Sequence, residues 1–224
     1  MLQALHGEII ACRACPRLVA WREEVARVKV KRYREWDYWG RPIPGFGDPR
    51  ARLLFIGLAP AAHGGNRTGR MFTGDRSGDF LYAALFRAGF ANQPTSVRRG
   101  DGLALANAFI TAPCRCAPPA NLPLPDELRR CSAWLDSEVA LLKSVRVVFA
   151  LGGIAWGAAL DHFARRGLQL PRPLPKFGHG AEAQIEGAPV LLGCYHVSQQ
   201  NTNTGRLTEA MIDRVLARAK ELIA

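Results

Sequence analysis

Arg52-Leu-Leu-Phe-Ile-Gly57 is the stretch of sequence that decides the fold. Four successive apolar residues that end at a glycine are typical of a parallel strand buried on both faces. Three further apolar runs fit the same description, at Leu103–Ile110, Val145–Leu151 and Pro189–Cys194. Helical patterns accompany them, at Leu18–Val30, Gly78–Gly89, Asp126–Lys143, Ile154–Arg166 and Leu207–Ile223. This alternation predicts an α/β fold with a parallel sheet covered on both faces, whose ligands bind beyond the carboxyl ends of the strands.

The composition narrows the class of protein. The chain has 224 residues, and its 48% hydrophobic content fits a globular protein rather than a disordered one. No apolar run is long enough to span a bilayer and the N-terminus lacks a signal-peptide pattern, so we expect a cytoplasmic protein with no membrane partner. The formal charge of +11 favours a polyanionic partner such as nucleic acid, although solubility or adaptation to heat produces the same charge.

Four of the six cysteines form two pairs that predict one metal site. Cys12 and Cys15 make a Cys-x-x-Cys motif, and Cys116 and Cys131 bracket a proline-rich loop in the middle of the chain. Because reduced thiols are expected in the cytoplasm, the pairs indicate metal or redox chemistry before disulfides. The four thiols can meet only if the fold brings the N-terminus against this loop. The metal site would then fix the position of the loop, which also carries Asn121.

Two loops that follow predicted strands carry side chains suited to a ligand cleft. In the glycine-rich stretch Gly69–Gly78, Phe72 offers a flat face for stacking, or it packs into the core instead. Neither the Walker nor the Rossmann glycine spacing is present, which disfavours nucleotide-driven chemistry. After the last strand, His196 is placed to donate a hydrogen bond into a cleft, or it caps the strand end.

With these motifs, the sequence resembles the uracil-DNA glycosylase superfamily, and specifically family 5, which is related to family 4. The resemblance is carried by Gly57-Leu-Ala-Pro-Ala61 with Arg70–Gly74, by Arg115-Cys-Ala-Pro-Pro-Ala-Asn121 with Cys131, by Tyr195-His196 with its trailing loop, and by Cys12-x-x-Cys15. The stretches cover most of the chain in a consistent order.

The resemblance implies a three-layer α/β/α fold around a central four-stranded parallel sheet. One domain would span residues 1–224, with an N-terminal cluster-binding segment of about residues 1–50 packed on it. The resemblance also implies a structural [4Fe-4S] cluster held by Cys12, Cys15, Cys116 and Cys131. Zinc is the alternative, because four thiolates suit either metal. Monomeric action is usual in the family, so we expect a monomer.

The activity that the resemblance implies is that of a monofunctional DNA glycosylase. Such an enzyme hydrolyses the N-glycosidic bond of uracil that is flipped out of double-stranded DNA, and it leaves an abasic site. The base-binding residues are then Gly57, Ala59, Phe72 and His196. Phe72 would stack on the extruded base, and His196 would donate toward the uracil carbonyl next to the glycosidic nitrogen, which stabilises negative charge on the departing base.

One departure from the superfamily affects the attack by water and the choice of base. Other branches carry a polar, water-activating side chain in the first motif, where this chain reads Leu58-Ala-Pro60. Asn121 is the first replacement candidate because its carbonyl oxygen can orient a water, and Asp75 is the second, although it also reads as a turn residue. The position that reads the uracil edge in family 4 falls near Ala112, which motivates the hypothesis that hypoxanthine or xanthine also enters the pocket.

Two further segments are predicted to hold the DNA. The polar loop of residues 198–205 would fill the space left by the flipped base, or it forms a plain surface turn. Its leading candidates for DNA contact are Ser198, Gln199 and Gln200. A second segment would grip phosphates because its glycines expose backbone N–H groups, and it contains Lys176, Gly178 and His179. The basic and aromatic residues 29–39 would either extend this footprint or clamp against the sheet.

Two other functions fit parts of the sequence. A non-catalytic nucleic-acid-binding module would share the charge and the metal site, but it would not need Phe72, Asn121 and His196 to converge. An electron-transfer protein would use the cysteines, but neither a charge of +11 nor a deep base pocket is expected of one. The convergence of these three side chains is therefore the structural observation that separates the alternatives.

Overall fold

A computed structural model describes all residues, 1–224, as a six-stranded sheet with helices on both faces. The strands are β1 (Phe46–Gly47), β2 (Leu53–Ile56), β3 (Ala108–Thr111), β4 (Val147–Leu151), β5 (Glu182–Ala183) and β6 (Val190–Cys194). Their spatial order is β1-β3-β2-β4-β6-β5. The four central strands are parallel, as predicted, and the two-residue strands β1 and β5 add antiparallel edges that the prediction of four strands did not include.

Eight α-helices surround the sheet. They are α1 (Leu2–Ala11), α2 (Pro16–Val28), α3 (Gly65–Thr68), α4 (Arg76–Arg87), α5 (Pro125–Leu141), α6 (Gly153–Arg165), α7 (Gln199–Asn203) and α8 (Glu209–Ile223). The five predicted helices correspond to α2, α4, α5, α6 and α8, with ends that differ by a few residues. The predicted strand Leu103–Ile110 begins too early, because the chain turns up to Asn107, whose backbone has a φ of 55°, and pairs only from Ala108.

The two faces of the sheet belong to separate hydrophobic cores. Phe55 and Phe149 face α4 and α8, with ring centroids 4.8 Å apart, whereas Leu54 and Val148 face α5 and α6. Removing one such buried aromatic ring costs about 3–5 kcal/mol. The arrangement confirms the predicted α/β class with helices on both sides of the sheet.

The N-terminal helices close one end of the molecule. Helix α1 packs against α5, and α2 packs against α3. The segment after them is anchored by the buried side chains of Tyr38 and Ile43, and the Ile43 amide donates to the carbonyl of Arg115 at 2.8 Å. None of the helices is long and apolar enough to cross a membrane.

Candidate active site and cysteine cavity

A single cleft beyond the carboxyl ends of β2, β3 and β6 collects the candidate catalytic residues from three loops. Phe72 and Asp75 come from the loop after β2, Asn121 from the loop after β3, and His196 from the end of β6. The lining comprises Leu58, Ala59, Pro60, Ala61, Met71, Phe72, Asp75, Ser77, Ala112, Ala120, Asn121, His196, Ser198, Gln199 and Gln200. The structure thus brings together the three side chains that a binding module would not need.

Phe72 is fixed in an unusual conformation in the wall of this cleft. Its φ of 49° is rare for a bulky residue, and such strain costs on the order of 1–3 kcal/mol. Gly57 leaves the room that the ring occupies, since a Cβ at Gly57 would lie 2.8 Å from two ring carbons. Gly57 is not among the residues that line the cleft; it leaves room for the Phe72 ring, and its contact with a base stays a prediction.

His196 faces Phe72 across the cleft, with ring centroids 6.3 Å apart and planes inclined by 41°. Its carbonyl accepts a hydrogen bond from Asn201 Nδ2 at 2.8 Å, while the imidazole has no hydrogen-bond partner in the protein. Burial lowers the pKa of His196, so the imidazole is neutral at neutral pH and carries one N–H. The imidazole lines the cleft and therefore offers one N–H donor that has no partner in the protein.

Asn121 ends a single 3₁₀ turn, Pro119–Asn121, at the rim of the cleft. Ala120 and Asn121 have φ values of 53° and 56°, so two successive residues adopt the left-handed conformation. Asparagine tolerates this conformation better than most residues, whereas alanine does not. The turn exposes Asn121 and presents it to the cleft.

Asp75 has a structural role, in line with its interpretation as a turn residue. It is the N-cap of α4, where its Oδ1 accepts from the Gly78 amide at 2.9 Å. The other carboxylate oxygen lies against the backbone of Gly64, where a Cβ would not fit. Burial raises the pKa of Asp75, with the Gly78 amide acting against that rise. The carboxylate lines the cleft, but both of its oxygens already face protein.

The two cysteine pairs meet in a second, small cavity between the N-terminal helices and α5. Cys12 and Cys15 flank the junction of α1 and α2, Cys116 follows β3, and Cys131 lies in α5. All six cysteines are free thiols. Cys114 is not among the residues that line the cavity, although its thiol lies beside that of Cys131 and donates to the Cys116 carbonyl at 3.3 Å.

Two N–H groups of the protein donate to sulfur atoms of the cavity. Arg22 is 2% exposed, and its Nη1 donates to Cys116 Sγ at 2.9 Å, while the Arg115 amide donates to Cys131 Sγ at 3.3 Å. Burial raises the pKa of Cys116 to about 12 and Arg22 opposes that rise, so the thiol needs a further positive partner to ionise at neutral pH.

Several guanidinium nitrogens at this cavity have no hydrogen-bond partner, namely Arg22 Nε, Arg115 Nε and Arg115 Nη1. No group of three or more His, Cys, Asp or Glu side chains is arranged to hold a metal ion. Four thiols around one cavity, with N–H donors on two sulfurs, nevertheless have the chemistry of ligands to an iron–sulfur group. The residues therefore fit such a group.

Comparison with known proteins agrees with this geometry. Residues 44–220 match the family model described as the uracil DNA glycosylase superfamily. The chain belongs to this superfamily. It is 56% identical over 219 residues to the type-5 uracil-DNA glycosylase of Mycobacterium tuberculosis, which covers 97% of this chain and 80% of that protein. It is 54% identical over 220 residues to the type-5 uracil-DNA glycosylase of Thermus thermophilus, with 98% and 97% covered.

A more distant match places the branch within the superfamily. The type-4 uracil-DNA glycosylase of Sulfurisphaera tokodaii is 29% identical over 132 residues, which are 58% of this chain and 52% of that protein. The similarity to type-5 relatives is both higher and more extensive. The predictions of a uracil-DNA glycosylase superfamily member, of the type-5 branch, and of a relation to type 4 are confirmed.

The predicted DNA-binding loop of this superfamily member folds as the short helix α7. Ser198 is its N-cap and accepts from the Asn201 amide at 3.4 Å, which a run of polar residues did not reveal. Ser198, Gln199 and Gln200 all line the cleft, and the two glutamines are exposed.

The second predicted DNA-binding segment lies beside the cleft rather than in it. Lys176 is exposed, and Gly178 packs close to β6. The His179 ring lies 5.0 Å from that of Tyr195, and His179 Nδ1 accepts from the Tyr195 amide at 3.3 Å. The segment is thus bound to the residue that precedes His196.

Sequence reasoning missed Arg22 and Arg115. Arginine in an amphipathic helix is ordinarily solvent-exposed, yet Arg22 lies on the same helix face as Leu18 and Val25, which are buried. An arginine within the apolar stripe of α2 was the available signal.

Proposed function

We propose that the protein is a DNA glycosylase that hydrolyses the N-glycosidic bond of uracil in double-stranded DNA, as a monomer, and leaves an abasic site. The observation that carries the proposal is the convergence of Phe72, Asn121 and His196 on one cleft of a uracil-DNA glycosylase superfamily chain. Relatives that span nearly the whole chain bear the name type-5 uracil-DNA glycosylase. A non-catalytic binding module has no use for this arrangement.

In the proposed reaction, the uridine nucleotide rotates out of the duplex before the bond is cut. The extruded base stacks on Phe72, whose strained backbone and close contact with Gly57 hold the ring in place. His196 donates its N–H to the uracil carbonyl next to the glycosidic nitrogen, where negative charge grows as the sugar acquires oxocarbenium character. A preorganised donor of this kind contributes on the order of a hundredfold or more to the rate.

Water reaches the sugar from the Asn121 side of the cleft in this proposal. The first motif offers no polar side chain between Gly57 and Pro60, and Asp75 caps α4 through the Gly78 amide, with its other oxygen packed against Gly64. The Asn121 carbonyl oxygen is free to orient the attacking water. Asn121→Ala should therefore slow excision more than Asp75→Ala in a single-turnover assay. Wild-type rates in both variants would remove the proposed water site.

The substrate range is proposed to extend to hypoxanthine or xanthine. Ala112 is buried in the cleft lining and has no side-chain group to read the edge of the base. A pocket without such a hydrogen-bonding group rejects related bases weakly. Excision rates from matched duplexes that contain uracil, hypoxanthine or xanthine measure this breadth, and activity on uracil alone contradicts it.

We further propose that Cys12, Cys15, Cys116 and Cys131 hold a structural [4Fe-4S] cluster, with zinc as the alternative. When bound, the cluster crosslinks the N-terminal helices to the loop that carries Asn121, and hydrolysis of a glycosidic bond needs no electrons from it. Arg22 and the Arg115 amide donate to two of the sulfurs. Anaerobically purified protein should be brown and contain iron and sulfide, whereas a colourless protein with one zinc contradicts the iron–sulfur assignment.

The deciding experiment is incubation of the protein with a duplex that contains one uracil, followed by alkali. Strand cleavage at the uracil position is expected, because alkali breaks an abasic site. The same duplex with thymine in that position is the matched control and should stay intact. Binding of the duplex without cleavage at uracil would favour the non-catalytic nucleic-acid-binding module instead.

A further inference from the structure

The segment Lys29–Arg34, here named the basic ridge, is not used by the proposed mechanism. It follows α2, and its side chains at Lys31, Arg32 and Arg34 are exposed. None of these three takes part in an ion pair, whereas the nearby Arg27 is paired with Glu24. Residues 29–37 contain four basic residues and two acidic ones, Glu35 and Asp37, which leaves a net charge of +2. The ridge is therefore a cationic surface without an acidic partner within the chain, and the Arg32 guanidinium lies 5.2 Å from the centre of the Tyr33 ring.

A buried arginine fastens this ridge to the wall of the cleft. The guanidinium carbon of Arg67 lies 3.8 Å from the centre of the Tyr33 ring and 4.1 Å from that of Trp36. Its Nη2 donates to the Gly74 carbonyl at 2.7 Å, and Gly74 directly precedes Asp75 of the cleft. Arg67 is 3% exposed, so it is a structural link rather than a surface charge. The ridge and the cleft wall thus share one rigid support.

The contacts of Arg67 place the basic ridge next to the cleft that would receive a flipped nucleotide. Between Tyr33 and the cleft residue Asp75 lie only the Arg67 side chain and the Gly74 peptide. A strand whose nucleotide enters the cleft continues over the rim, and duplex DNA carries one charge per about 1.7 Å of its axis. The side chains of Lys31, Arg32 and Arg34 are exposed to solvent on this support. The aromatic residues of the segment form the clamp, and the basic ones remain available for phosphates.

We propose that Lys31, Arg32 and Arg34 bind the DNA phosphate backbone beside the extruded base. The proposal rests on the proposed function, and it adds to it a second DNA-binding surface at the N-terminal side of the cleft. Phosphate contacts position the enzyme on DNA and carry no sequence information. The ridge would therefore strengthen the binding of damaged and undamaged duplexes alike, and its contribution would fall as the salt concentration rises.

The test is the salt dependence of binding to an undamaged duplex, measured by fluorescence anisotropy over a series of sodium chloride concentrations. The double variant K31A/R34A should reduce the slope of log K against log salt by about 0.9 for each phosphate that is no longer neutralised, or by about 1.8 for two phosphates. Both side chains are exposed, so the fold should be kept, and thermal melting checks this.

The matched control is K143A/R166A, which also removes one lysine and one arginine. Both of these residues are exposed and line a groove with Val145 and Pro189, near the amino ends of β4 and β6 and away from the cleft. The control should keep the wild-type slope. The proposed role of the basic ridge is wrong if the salt slope of K31A/R34A is unchanged, or if the slope falls equally in both double variants.

Two outcomes separate this proposal from the function on which it rests. If the wild-type protein neither binds a duplex nor cuts at uracil, the proposed function fails. If the wild-type protein does both and K31A/R34A binds with the wild-type salt slope, only the proposed DNA-binding role of the basic ridge is wrong. The charge reversal K31E/R34E should weaken binding more than K31A/R34A does, because the new carboxylates also repel the phosphates.

Discussion

The base cleft and the cysteine cavity differ in what the polypeptide supplies by itself. In the cleft, backbone with positive φ places Phe72 and Asn121, and Gly57 leaves the room that the Phe72 ring fills. In the cavity, four thiols and several guanidinium nitrogens face one another with partners missing. The backbone of the chain thus places the cleft residues, whereas polar groups of the cavity remain without partners within the protein.

One short loop belongs to both regions. Cys116 lines the cavity, and Asn121, five residues further along, lines the cleft. Prolines between them stiffen the connection, because proline fixes φ. A change in the cavity should therefore reach the cleft through the position of Asn121, while a change at His196, which follows another strand, should leave the cavity unaltered.

The largest effect is expected from a substitution that alters the cleft and leaves the cavity intact. His196→Ala removes the unpartnered N–H donor and should lower single-turnover uracil excision by about a hundredfold or more. Bound iron should stay at the wild-type level, because His196 has no contact with the cavity. His196→Gln offers a side-chain N–H and should recover part of the rate. A nearly wild-type rate in His196→Ala would refute the assigned role.

A smaller effect is expected when the cavity alone is broken. Cys12→Ser should lose most of the bound iron, expose residues 1–50 to trypsin, and slow excision less than His196→Ala does. Cys194→Ser is the control, because Cys194 is buried in the core on the α4 and α8 side of the sheet and does not line the cavity. The ligand set is wrong if Cys12→Ser keeps its iron or Cys194→Ser loses it.

The sequence predicted the cleft better than it predicted the edges of the fold. Parallel strands end on one side of a sheet, so residues placed just after such strands, as Phe72, Asn121 and His196 are, were expected to meet. The strands β1 and β5 have two residues each, which is too short for an apolar pattern. Helix α7 depends on a Ser198 cap within a wholly polar stretch, where no hydrophobic periodicity marks a helix.

For the cavity, the sequence predicted the cysteines but not the polar groups around them. The pairing of the cysteines followed from their spacing, but the burial of Arg22 did not. Its partner Cys116 is 94 residues away in the chain, and only the folded contact between their side chains accounts for a guanidinium at 2% exposure. Long-range polar contacts of this kind leave little local signal in a sequence.

The smallest expected effect is a change in thermal stability at Asp75, which tests whether this residue serves the cleft or only the fold. Burial raises the pKa of this carboxyl in the folded protein above its unfolded value of about 3.9. The folded state then binds more protons than the unfolded state between these two pKa values, so Asp75 lowers stability as the pH rises through that window. At neutral pH the buried charge carries its full cost, whereas an asparagine would accept the same Gly78 hydrogen bond without it.

Asp75→Asn should therefore melt at a higher temperature than the wild type at pH 7, by up to a few degrees, since 1 kcal/mol corresponds to about 2–4 °C for a chain of this size. The difference should shrink at about pH 3.5, where the unfolded carboxyl is also largely protonated. A difference that is the same at both pH values would mean that the charge is not the cause. If Asp75→Asn is more stable and still cuts uracil at nearly the wild-type rate, Asp75 acts as a helix cap, and the attack by water depends on Asn121.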